Sequence, residues 1–162
     1  ITALFKFLNS IFELISNKII FIMSHTTTTH WKGGMLFESD NPSGNNVYMD
    51  TTSDGINKQE GLSPKAMMLS SLAGCSGIDI VDILKKMKII DYDLKIVVKG
   101  KLTPKHPKYY HTVHVNYFFS GADCHIKKCE RAVELSVQKY CGVMEMFRRF
   151  AKIKTHIHFQ SY

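Results

Sequence analysis

After Met23, apolar positions crowd together once in this chain and alternate with polar ones in much of the rest. From Pro64 to about Lys88 the run Met67, Met68, Leu69, Leu72, Ile78, Ile80, Val81, Ile83, Leu84 and Met87 is too long for a strand and apolar on most sides. This predicts a buried central helix, with Ser63 as its N-cap and Pro64 as its first residue. A period of two follows. Leu94, Ile96, Val98 and Gly100 alternate with Lys95, Val97, Lys99 and Lys101; Val113, Val115, Tyr117 and Phe119 then alternate with Thr112, His114, Asn116 and Phe118. These are two half-buried strands, joined as a hairpin through Thr103 to Lys108, which holds Pro104 and Pro107. A second helix is predicted from about Ile126 to Tyr140, a short one from about Val143 to Phe150, and a last strand from Ile153 to Phe159. Upstream, Thr26 to Asp54 reads as strands broken by Gly33-Gly34 and by the turn Asn41-Pro42-Ser43-Gly44, with Val47-Tyr48-Met49 resuming.

At 162 residues, 44% of them hydrophobic and 22% charged, the chain fits one domain with a core of its own. The formal charge of +7 raises nucleic acid as a partner. In sequence, however, the lysines are scattered and no basic stripe interleaved with aromatics accompanies them, so no nucleic-acid partner is expected. Residues 1–22 are apolar but interrupted by Lys6, Glu13 and Lys18, which fits neither a signal peptide nor a membrane span. The segment is read as an upstream-translated, non-native extension ahead of a natural start at Met23, leaving 23–162 as the single domain. An amphipathic interaction helix is the rival reading.

Cysteines fall at 75, 124, 129 and 141, with no CxxC pair, so neither a structural metal nor an oxidising compartment is expected, and the cytoplasm is the predicted location. His156 and His158 share one face of a strand but lack an evident third ligand. No metal, cofactor or membrane is therefore expected. What remains is thiol chemistry. Cys75 sits among small residues in Leu72-Ala73-Gly74-Cys75-Ser76-Gly77-Ile78-Asp79, and Cys141 ends a second helical run at Lys139-Tyr140-Cys141-Gly142. Two thiols on two helices point to an attacking cysteine and a resolving one; buried inert thiols are the alternative. Cys124 and Cys129 are read as structural. An attacking thiol needs a positive neighbour. Asp79, one turn after Cys75, and Asp82, two turns after, work against ionisation, whereas Lys65, nearly three turns before it on a similar face, opposes them. Lys32 or Lys58 of a partner chain is a further source of positive charge. An apolar substrate pocket is expected from Met67, Met68, Met144, Met146 or Phe147.

Two stretches carry a family resemblance: Ser63-Pro64-Lys65-Ala66-Met67-Met68-Leu69 leading into Leu72-Ala73-Gly74-Cys75, and Glu130-Arg131-Ala132-Val133-Glu134-Leu135-Ser136 leading into Lys139-Tyr140-Cys141. On these the chain, from about His30 to His158, resembles the OsmC/Ohr proteins, nearest their YhfA-like branch. The resemblance implies an α+β fold, with curved antiparallel sheets around two central helices and two protomers intertwined as a homodimer. It also implies thiol-dependent, peroxiredoxin-like reduction of organic hydroperoxides in a stress response. Cys75 would attack, Cys141 would resolve the sulfenic acid as a disulfide, and a dithiol would be the external reductant. The family's peroxidases carry a glutamate just after the Ser-Pro and an arginine ahead of the first cysteine. Here Lys65 takes the glutamate's place and no arginine occurs before Arg131, which also admits a binding protein with little peroxidase activity.

Overall fold

The computed structural model describes residues 24–51, 59–122 and 125–160. Residues 1–22, Met23, Lys58 and Cys124 lie outside them. The first sheet is an antiparallel meander of β1 (Thr29–Gly33), β2 (Leu36–Asp40) and β3 (Asn46–Met49). Gly33 ends β1 and Gly34 opens the two-residue turn to β2 with φ of 107° and 53°, angles that glycine adopts without strain. The break that the paired glycines predict between strands falls here.

Helix α1 (Pro64–Lys86) follows. Ser63 has the extended backbone of an N-cap, but its side chain makes no capping bond; its carbonyl accepts the first helical bond, from Met67 N at 2.9 Å. The second sheet is β4 (Asp93–Leu102), β5 (Tyr110–Ser120) and β6 (Lys152–Phe159), in that order. β4 and β5 pair antiparallel along the predicted hairpin, with Ile96 opposite Tyr117 and Val98 opposite Val115. β6 departs from the all-antiparallel expectation. It runs parallel to β5, because the chain first passes through α2 (Ile126–Leu135), a π-helical turn (Ser136–Tyr140) and α3 (Gly142–Arg148), and such a crossover returns a strand in the same direction.

The core forms where α1, α2 and α3 cover one face of this second sheet. Val113, Val115, Tyr117 and Phe119, the inward half of the β5 alternation, are fully buried, as are Leu72, Ile80 and Leu84 of α1, Ala132 of α2 and Met144 of α3. Gly77 lets α1 lie close on β4, since a Cβ there would stand 3.0 Å from Ile96 Cδ1. The expectation of a buried central helix holds only for one stripe. Leu72, Ser76, Ile80, Ile83 and Leu84 are buried, while Ile78 is 73% and Val81 47% exposed in the single chain. By length and composition α1 is apolar enough to cross a membrane, but it packs against β4, α2 and α3 as a core helix does.

Candidate active site

The site is assembled from three elements that face the middle of α1. Cys75 and Asp79 are four residues apart on α1 and so lie one above the other on the same side. Opposite them the second helix does not run smoothly to Tyr140. At Ser136 it widens into a π turn, closed by a bond of 2.9 Å from Cys141 N to the Ser136 carbonyl five residues back. Arg148 of α3 reaches back and donates to the Val137 carbonyl within that turn. The widened turn delivers Cys141 to the start of α3, where its Sγ accepts the Met144 N–H at 3.3 Å.

The Sγ atoms of Cys75 and Cys141 and a carboxylate oxygen of Asp79 then lie within 4.8 Å of one another. Both cysteines are free thiols; Cys141 is buried, and Cys75 and Asp79 are half-buried. Ser136, fully buried, donates its hydroxyl to Asp79 Oδ2 at 3.0 Å, with the Ser76 carbonyl at 3.1 Å as the other acceptor within its reach. Burial, reinforced by a hydrogen bond to Cys75, pushes the Cys141 thiol up to about 12, and the negative charge of Asp79 adds to the shift. Cys141 therefore holds its proton at neutral pH. The phenol of Tyr117, on the inward face of β5, is pushed up to about 12 in turn, chiefly by burial; the nearby Ser76 hydroxyl partly offsets this and the Asp79 charge adds to it. Its buried hydroxyl nevertheless makes no hydrogen bond of good geometry among the described residues. Such a group is costly to bury unless something binds it.

Of the residues singled out in the sequence, Cys75 and Cys141 come together and Lys65 does not join them. Lys65 is exposed in the first turn of α1, ten residues and hence about 15 Å of helix axis from Cys75. Asp79 faces the thiols, whereas Asp82 turns to solvent and pairs with Lys86 at 2.6 Å. Lys32 pairs with Glu38 across the first sheet at 3.0 Å. Cys129 is fully buried in the core. The expected methionine pocket is not formed within one chain, because Met144 and Phe147 are core residues while Met68 and Met146 point outward. The cleft that reaches Asp79 is instead mixed, a space of about 490 Å³ between Ile83, Met87, Leu135, Tyr140, Asp82 and Lys86. His156 and His158 lie on the outer face of the second sheet, His158 bonded to Asn116 at 3.1 Å.

Asp79, Ser136 and Tyr117 complete the site; from sequence Asp79 entered only as a charge one turn from Cys75, and Ser136 and Tyr117 were not assigned to it. Asp79 carried a signal in its four-residue spacing from Cys75. Tyr117 carried one as a tyrosine on the apolar side of a strand, where a hydroxyl calls for a partner.

With this geometry in view, the comparisons with known proteins identify the class. The family model described as OsmC-like protein matches residues 57–156. The protein YhfA of Escherichia coli K12 is 30% identical over 126 residues, spanning 78% of this chain and 90% of its own length. The chain belongs to the OsmC-like family. Among solved structures, a protein of Aquifex aeolicus VF5 superposes with a TM-score of 0.76 at 29% identity, covering 87% of this chain and 99% of that one. The organic hydroperoxide resistance protein OhrB of Bacillus subtilis shares the fold with a TM-score of 0.58 at 16% identity, over 84% of this chain and 98% of its own.

Proposed function

We propose that the protein reduces organic hydroperoxides at the expense of a dithiol, through a cycle of attack by Cys75 and disulfide closure by Cys141. The observation that carries this reading is the meeting of two free thiols, from segments far apart in sequence, within 4.8 Å in a half-open site. As a thiolate, Cys75 attacks the outer peroxide oxygen, so that an S–O bond forms, the O–O bond breaks and the alkoxide leaves to be protonated. Tyr117, which keeps its proton far above neutral pH, is a donor held at this site. In the second step Cys141 displaces the hydroxyl of the Cys75 sulfenic acid, its own proton leaving with that oxygen as water. The sulfurs close to about 2.05 Å as the disulfide forms. An external dithiol then restores both thiols and is itself oxidised. The half-exposed side of Cys75 admits the peroxide, and burial of Cys141 keeps the resolving thiol from reacting first.

The working unit in this reading is a homodimer, since α1 leaves Ile78 and Val81 uncovered in the single chain. A second reading, a binding protein with little peroxidase activity, is favoured by Asp79, whose negative charge beside Cys141 opposes ionisation of the resolving thiol. Cys75→Ser and Cys141→Ser separate the two. The cycle requires that Cys75→Ser abolish peroxide consumption, and that Cys141→Ser permit one turnover and then gain oxygen at Cys75, read by intact mass. No peroxide consumption by the wild type favours the binding protein, and consumption that continues unchanged in Cys75→Ser removes Cys75 as the nucleophile.

A further inference from the structure

The arrangement that serves a redox pair also matches a metal-ligand set. We propose that Cys75, Cys141 and Asp79 form a three-ligand site for a thiophilic divalent cation of the Zn²⁺ class, whose occupancy shuts off the thiol chemistry. The proposal needs the two cysteines reduced and adjacent, and does not depend on the peroxidase cycle.

The geometry is close to what such a cation requires. Tetrahedral zinc with Zn–S of about 2.3 Å and Zn–O of about 2.0–2.2 Å sets its donors about 3.6–3.8 Å apart. The two sulfurs and the carboxylate oxygen lie within 4.8 Å of one another, so a contraction of about 1 Å or less gathers them. Two of the ligands stand at i and i+4 of one helix, the spacing by which helices present ligand pairs on a single face. The carboxylate is also oriented from outside. The Ser136 hydroxyl, 3.0 Å from Asp79 Oδ2, is the kind of outer-shell partner that fixes a metal-ligating carboxylate.

A second observation concerns Tyr117, which is not one of the three ligands. It is fully buried near Cys141 and Asp79, and although the Ser76 hydroxyl is beside it, its own hydroxyl makes no hydrogen bond of good geometry among the described residues. A water completing the coordination of such a cation would give that hydroxyl a polar neighbour, and the half-exposed Cys75 and Asp79 leave a way in for it. Both thiols must lose their protons to bind the cation, so uptake strengthens as pH rises. The two thiol protons leave to solvent as the two metal–sulfur bonds form. The sulfur lone pairs are then committed, and neither peroxide nor an alkylating agent is attacked.

The test is a titration of the reduced, full-length protein with Cd²⁺ under anaerobic conditions, followed by thiolate-to-cadmium absorbance. Zn²⁺ is measured by competition with a coloured chelator. One equivalent per chain is expected, with two thiolates in the spectrum, release of two protons and a drop of about tenfold or more in the iodoacetamide rate at Cys75. Loss of either cysteine is expected to weaken uptake more than 100-fold, and Asp79→Asn by about 10- to 100-fold. The wild type oxidised to the Cys75–Cys141 disulfide should take up none, a control that needs no substitution. Repeating the titration with Cys124→Ala and Cys129→Ala in place keeps the remaining thiols out of the count. No saturable uptake, or uptake that survives oxidation, overturns the site; uptake indifferent to Asp79→Asn overturns the three-ligand assignment. Because none of these readings uses peroxide, a chain that binds Cd²⁺ without reducing peroxide keeps this proposal and loses the peroxidase one.

Discussion

Two buried protons set how the site responds to alkali. Cys141 and Tyr117 ionise near 12 in the folded protein, against ordinary values of 9.0 and 10.0. Between the ordinary and the raised value the unfolded chain has lost a proton that the folded chain retains, so stability falls as pH rises. Below about pH 9 both states are protonated and the contribution is intact. Each group gives a slope approaching about 1.4 kcal/mol per pH unit inside its window. Chemical denaturation at intervals from pH 8 to 11 is expected to show Tyr117→Phe and Cys141→Ala losing less stability with pH than the wild type. Parallel curves would mean that these groups are hydrated. At neutral pH the same proton keeps Cys141 unreactive, so labelling at the site should fall on Cys75.

Among the elements, the π turn brings Cys141 to Cys75. A regular α-helix from Ile126 to Tyr140 would place Cys141 about 100° away per residue of register, at 3.6 residues per turn. The extra residue is accommodated because the Ser136 and Val137 carbonyls find donors in Cys141 N and Arg148. Deleting Gln138 is therefore expected to leave the fold recognisable by circular dichroism while preventing peroxide from forming a Cys75–Cys141 disulfide, assayed by non-reducing mass analysis.

Strand β4 offers a packing test. A Cβ at Gly100 would stand 2.5 Å from Tyr110 Cδ1 and 3.1 Å from Leu69 Cδ2, so Gly100→Ala should destabilise by about 1–3 kcal/mol although alanine lowers the backbone entropy of the unfolded chain. Urea midpoints measure this.

The element order was readable because period-two alternation in β4 and β5 and the apolar run of α1 are strong local signals. Cys75 and Cys141 were singled out as two thiols on two helices, and the family resemblance gave them the roles of attacking and resolving thiol. The π turn, the parallel seat of β6 and the bond from Ser136 to Asp79 depend on contacts between distant segments, which no local pattern encodes. Lys65 illustrates the limit: its helical face relative to Cys75 was legible, but rise along the axis separates the two.

At the scale of the molecule, α1 presents Ile78 and Val81 to solvent along a helix whose opposite stripe is core. A face of this kind on a long apolar helix is expected to be covered by a second copy, burying the roughly 1,200–2,000 Å² or more of a stable interface. Sedimentation at micromolar concentration should give a dimer, and Ile78→Glu should yield monomer or loss of folding. A wild type that sediments as a folded monomer removes the assembly from the proposal. Cys75 and Cys141 also belong to opposite halves of the chain, one before the second sheet and the other on the crossover inside it. A bond between them would close a loop of about 66 residues, and in the chain-entropy picture such a loop removes about 4 kcal/mol of freedom from the unfolded ensemble. On that scale the oxidised protein would melt well above the reduced one, and each reduction by the dithiol would return the chain to its looser, more readily unfolded form.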